Sequence, residues 1–180
     1  VLAMANLPSY NPNNRTSIDV KGLRNQAITD AIEPGSVMKP LAMSAALATD
    51  EIDPDTVIDT SPGWMVIDGY TISDFRNYGK LTPGGILLHS SNIGMSHIAL
   101  KLEKDTIWNQ YRALGLGQAP ETGFPGEGSG SLPSLYGLSQ SARAAMAYGY
   151  GISLTPLQLA SAYTAIANDG RRLHASLLKR

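Results

Sequence analysis

Ser36 and Lys39 stand three positions apart in the run Glu33-Pro34-Gly35-Ser36-Val37-Met38-Lys39-Pro40. On a helix that spacing puts both side chains on one face, so the lysine amine can reach the serine hydroxyl. A neutral amine could take the hydroxyl proton and leave an oxygen able to attack a carbonyl carbon, which is acyl transfer through a serine ester. At its ordinary pKa of roughly 10.4 lysine is a poor base. Such use therefore requires burial or nearby positive charge to lower that value by several units. The free N–H groups at a helix start would also stabilise negative charge developing on a bound carbonyl oxygen. Ser-x-x-Lys by itself arises by chance in many chains, and a serine at a helix start is commonly only a cap. Here a Pro-Gly break precedes it and an apolar helix that would bury the lysine stem follows.

Ser90-Ser91-Asn92 is the second candidate. A Ser-x-Asn triplet on a turn can present a hydroxyl and an amide to one cavity, as a proton relay and a donor–acceptor pair for a peptide bond. Taken alone, the triplet reads first as the cap, by Ser91 or Ser90, of the helix that follows.

The elements that must position these residues can be traced along the chain. Val1 to Ala5 is expected to be a buried strand, followed by a loop through Pro8, Asn11, Pro12, Asn13 and Asn14. Leu23 to Ile32 is expected to be helical and Pro34-Gly35 to end it, with a second helix from about Ser36 to Ala48 and Pro40 near its first turn. Met65-Val66-Ile67 and Tyr70-Thr71-Ile72 flank Asp68-Gly69, the pair that a two-residue hairpin with positive φ at both centres requires. Thr82-Pro83 opens a short helix to Leu88, and Asn92 to Leu102 repeats apolar residues at helical spacing. Ser90-Ser91-Asn92 then lies on a helix–helix turn. Gly115 to Gly137 reads as a long loop, held by packing or mobile, after which Ser139 caps a helix to about Ala147. Thr155-Pro156-Leu157-Gln158 carries an N-cap, a first-turn proline and a capping-box glutamine for a helix to about Asn168, stopped by Asp169-Gly170.

With 43% hydrophobic residues among 180, the chain can build the core of one ordinary domain. Charged residues make up 16% and the formal net charge is −1, so no field favours nucleic acid or an anionic membrane surface. The absence of cysteine removes disulfides and thiolate chemistry. No apolar stretch approaches the roughly 20 residues of a spanning helix. Val1 begins inside an apolar segment and Lys179-Arg180 closes without a stop signal, so the chain reads as a fragment. His89, His97 and His174 are too scattered for a metal site. Gly126, Gly128 and Gly130 lack the flanking strand and helix of a dinucleotide loop and read as a mobile segment. Arg171, Arg172, Lys179 and Arg180 read as a solvated basic edge.

The two motifs together resemble the penicillin-recognising serine enzymes. Tyr10-Asn11-Pro12-Asn13-Asn14, Arg24-Asn25, the Glu33 to Pro40 run and Ala147-Tyr148-Gly149-Tyr150-Gly151 narrow the resemblance to class B penicillin-binding proteins, in particular the cell-division transpeptidases of that class. It covers essentially the whole chain, in order.

The resemblance implies an α/β (α+β) fold, here mainly its helical part with little of the central antiparallel sheet. It implies a D,D-transpeptidase that cross-links peptidoglycan stem peptides at the septum and is acylated by β-lactams, without cofactor or metal. Carried over, Ser36 is the nucleophile, Lys39 the base, Ser90 the proton relay and Asn92 the ligand of the substrate amide. Tyr150 and Phe75 would line the cleft, with ordinary core packing as the alternative for both.

The family's third motif, Lys-Ser/Thr-Gly on a strand edging the cleft, has no counterpart in the 180 residues. The expectation is thus a truncated transpeptidase domain over 1–180, lacking that strand and the first strands of the sheet. The family also implies a periplasmic protein anchored to the inner membrane, with septal cell-wall synthesis proteins as partners. A serine β-lactamase and a non-catalytic β-lactam-binding or interaction module remain as alternatives.

Overall fold

The structure is a computed structural model and describes residues 1–14 and 20–178. Along the described chain run α1 (Gln26–Thr29), α2 (Lys39–Leu47), α3 (Pro83–His89), α4 (Asn92–Lys101), α5 (Thr106–Ala113), α6 (Gln140–Ala147) and α7 (Pro156–Ala167). Four short strands, β1 (Ile58–Asp59), β2 (Trp64–Ile67), β3 (Tyr70–Ser73) and β4 (Lys80–Leu81), lie between α2 and α3. The chain divides into two compact units.

The unit formed by Glu33–Ala113 and Leu132–Ile152 carries both motifs. Its core is helix on helix, with α4 against α6 and α2 against α5. α4 has apolar residues round most of its surface, which suits a helix in the middle of a bundle; Ile93, Met95, Ile98 and Ala99 are all buried. α3 approaches it so closely that a Cβ on Gly94 would stand 2.5 Å from Ile86 Cγ1. β2 and β3 pair antiparallel around Asp68 and Gly69, whose φ angles of 50° and 83° give the expected turn. The hairpin lays Ile67 and Ile72 on Ile93 and Ala144.

Two caps tie these elements together. The Asp68 carboxylate accepts from the Ser141 N–H (2.8 Å) in the first turn of α6, while Arg143 on the same helix donates to Ala99 O and Leu102 O at the end of α4. Each contact pairs backbone groups that a helix end leaves open. α5 was not anticipated; its apolar side, Ile107 and Tyr111, is buried, and Tyr111 donates its hydroxyl proton to Met146 O.

The other unit comprises Val1–Ile32, Leu114–Ser131 and the segment from Ser153 onward. α7 packs on α1. Thr155 and Gln158 form the expected capping box, and the Gln158 side chain also donates to Gln118 O and Ser129 O, at 2.7 and 2.8 Å.

Three expectations are corrected. Val1 to Ala5 is neither buried nor paired: Val1 and Leu2 are exposed, and the named strands β1 to β4 all belong to the other unit; the segment lines a groove with α7 instead. Leu23 to Ile32 is a 3-10 turn ending at Leu23 followed by the short α1, since Asp30 is already extended. The Gly126 to Gly130 segment is pinned: Gly128 N–H donates to Ile28 O, and side chains there would strike Thr29 O (2.9 Å) or, at Gly130, Ser153 O (2.2 Å). Of the basic edge, Arg171 and Arg172 are exposed, and Lys179 and Arg180 lie outside the described residues.

Candidate active site

Pro34-Gly35 breaks the chain so that Gly35, at φ 63°, delivers Ser36 into a 3-10 turn (Gly35–Met38) that runs directly into α2. In a 3-10 turn residues three apart eclipse one another, so Ser36 and Lys39 are aligned on one face of the turn. Pro40 falls in the first turn of α2, where its missing N–H costs nothing. Ser36 is exposed; Lys39 is 2% exposed.

The Lys39 amine donates to Ser90 Oγ (2.9 Å), Ser90 O (2.5 Å) and Asn92 Oδ1 (2.8 Å). Its three donors are thus committed to the second motif rather than to Ser36. Burial pushes the Lys39 pKa down to about 8, opposed by the negative charge of Asp74. A base near that value is matched to proton transfer at neutral pH.

The Ser90-Ser91-Asn92 turn is shaped as much as positioned. Ser90 closes α3 in the left-handed region, φ 54°, an uncommon conformation for a residue with a Cβ. That turn aims its carbonyl and its hydroxyl at the same amine. Ser91 caps α4, accepting from Gly94 N–H. Ser91 is thus the structural member of the triplet, and Ser90 and Asn92 are the members that meet Lys39.

Asp74 is the residue that sequence reasoning missed. Its carboxylate accepts from Ser91 Oγ (2.5 Å), Asn92 N–H (2.6 Å) and Ile93 N–H (3.1 Å). A carboxylate on open N–H groups at a helix N-terminus is favourable on charge and hydrogen bonding alike. The neighbouring Ser73 carbonyl accepts from Asn92 Nδ2 at 3.3 Å. The hairpin therefore holds the motif turn through two consecutive residues. No local pattern marks an aspartate after a strand as the cap of a helix that begins eighteen positions later, as the interval from Asp74 to Asn92 has it.

The remaining expected residues lie at the surface. Phe75, beside Asp74, is 96% exposed, and Tyr150 is half-exposed with its ring 5.7 Å from that of Tyr148. Core packing is thereby removed as the explanation of Phe75, whereas Tyr150 keeps half its surface against neighbours. A separate apolar groove of about 580 Å³ lies in the other unit, between Val1–Ala5 and α7. Its hydroxyls, Ser161 and Thr164, are spent on backbone groups of Leu173 and Ser161.

The constellation invites comparison with known proteins. Residues 1–180 match the penicillin binding protein transpeptidase domain family. A probable peptidoglycan D,D-transpeptidase PbpC of Pseudomonas aeruginosa is 47% identical over 99% of this chain and 32% of its own length. The peptidoglycan D,D-transpeptidase FtsI of Escherichia coli is 42% identical over 94% of this chain and 29% of its own. Among solved structures, the apo transpeptidase domain of Burkholderia pseudomallei penicillin-binding protein 3 superposes with a TM-score of 0.84 at 44% identity, covering 88% of this chain and 48% of that one. Penicillin-binding protein 3 of Mycobacterium tuberculosis, complexed with aztreonam, gives 0.80 at 35% identity, over 87% of this chain and 35% of that one. The chain thus spans about a third of the length of the curated relatives it matches.

Proposed function

Because the chain belongs to the penicillin-binding protein transpeptidase family, we propose that Ser36 is the nucleophile of a D,D-transpeptidase acting on peptidoglycan stem peptides. The observation that carries this reading is the desolvated Lys39 amine, one turn from Ser36 and bonded to both the Ser90 hydroxyl and the Asn92 amide.

In the proposed reaction Ser36 Oγ bonds to the carbonyl carbon of the D-alanyl-D-alanine peptide as its proton passes to neutral Lys39. The peptide C–N bond then breaks, and the proton reaches the departing D-alanine amine through Ser90 Oγ. An amine from a second stem peptide attacks the ester, which forms the cross-link and restores the Ser36 hydroxyl. Asn92 would bind the substrate amide, and Phe75 and Tyr150, exposed apolar surfaces beside the site, would line its approach. β-Lactams would acylate the same oxygen. The likeness to cell-division transpeptidases supports a periplasmic site of action, inner-membrane anchoring of the intact protein and septal synthesis proteins as partners. No helix among the described residues is long and apolar enough to cross a membrane.

The test is intact mass after exposure of the intact protein to penicillin, with peptide mapping of the adduct. One adduct on Ser36, absent in Ser36→Ala, is expected; an adduct elsewhere, or one that survives Ser36→Ala, would sink the assignment. Release of the adduct within seconds would mark a hydrolase instead.

A further inference from the structure

The turn that presents Ser36 is held from behind by the Tyr148-Gly149-Tyr150-Gly151 segment. α6 ends in a Schellman motif: Tyr150 N–H donates to Ala145 O, Gly149 N–H to Met146 O, and Gly149 sits at φ 88°. The Gly149 carbonyl, carried past the helix end, accepts from Gly35 N–H at 2.9 Å, directly before the nucleophile. The two backbones touch so closely that a Cβ on Gly149 would lie 1.9 Å from Gly35 O. Glycine is needed at Gly149 both for its conformation and for this approach.

A second tie runs the other way. Gly151 N–H donates to Glu33 Oε1 at 3.0 Å, across 118 positions of sequence. Glu33 and Gly35 thus bracket Pro34 on one side, Gly149 and Gly151 bracket Tyr150 on the other, and each pair is joined by one bond. From this we infer that Glu33 is a positioning residue: with the Gly149 carbonyl it clamps the nucleophile's turn to the Tyr150 segment, so that Ser36 and Tyr150 are held as one body toward the substrate.

Glu33 is exposed and touches none of Ser36, Lys39, Ser90 or Asn92 through a hydrogen bond. Its effect is to fix where the attacking oxygen stands, and small misplacements at that point carry large rate penalties. The inference rests on the transpeptidase reading above.

The experiment is the second-order rate of acylation of the intact protein by a fluorescent penicillin, in Glu33→Ala and Glu33→Gln, with the labelled fraction at completion read alongside. Glu33→Ala should slow acylation about tenfold with full final labelling, and Glu33→Gln, which keeps the acceptor oxygen, should recover most of the rate. Three results would each overturn the clamp: a wild-type rate in Glu33→Ala, a loss confined to the final labelled fraction, or equal slowing in both variants. Ser36→Ala, run in parallel, separates this from the parent reading. Labelling that persists there defeats the assignment of the nucleophile, whereas its abolition together with a fast Glu33→Ala defeats the clamp alone.

Discussion

At Lys39 two effects oppose each other, and their balance sets the charge of the amine. Burial disfavours the ammonium and the Asp74 carboxylate favours it, leaving a pKa of about 8. Roughly a tenth of the amine is then neutral at pH 7. The acylation rate should accordingly climb with pH and level off above about 8, as read from penicillin labelling across a buffer series. In Asp74→Asn the charge that raises the lysine pKa is gone, so the rising limb should move to lower pH. Loss of the charged cap should also cost about 1–2 kcal/mol of stability. A limb that stays in place would mean that Lys39 is not the titrating base. The same shift has a sign for folding. Between about pH 8 and the unfolded value near 10.4 the unfolded chain binds the extra proton, so this residue's contribution makes the fold more stable as pH rises through that window.

Among the elements, the β2–β3 hairpin does more than cover the core. Through Asp68 it holds the start of α6, whose far end holds Gly35; through Ser73 and Asp74 it holds the turn before α4. Both motifs are therefore referred to one small ribbon. The helix pair α3 and α4 must also meet closely, since Ser90 and Asn92 lie on either side of their junction. Gly94→Ala should force Ile86 aside and cost about 1–3 kcal/mol in urea unfolding. Adding Ile86→Val, which removes one methyl group from the contact, should restore part of that loss. Strict additivity of the two changes would show that the crossing is not what they share.

For the molecule as a whole, the number of strands is the telling feature. The described chain holds two separate two-stranded pairings and no larger sheet, and residues 1–180 contain no Lys-Ser-Gly or Lys-Thr-Gly triplet. On the proposed transpeptidase reading, a strand carrying that triplet would supply an oxyanion-hole donor, and removal of one such donor typically slows acyl transfer by about a hundredfold or more. Residues 1–180 prepared by themselves should therefore be labelled by penicillin at least that much more slowly than a protein in which such a strand follows. Equal rates would show that Ser36, Lys39 and Ser90, in the roles proposed for them, suffice.

Local chemistry was legible in the order of residues. Asp68-Gly69 specifies its turn because only certain residues tolerate positive φ, and Thr82-Pro83, Ser139 and Thr155 specify helix starts because caps act within one turn. The Ser36 to Lys39 spacing belongs to the same class. What tertiary structure decided is long-range. The lysine amine meets Ser90 and Asn92, fifty-odd positions away in sequence (separations 51 and 53), Asp74 caps a helix it does not adjoin, and Gly149 supports Gly35 from beyond another helix. Val1 to Ala5 fails as a strand for the matching reason: side-chain pattern can favour extension, but a ladder exists only where a second backbone edge is brought alongside, and that is a property of the folded chain.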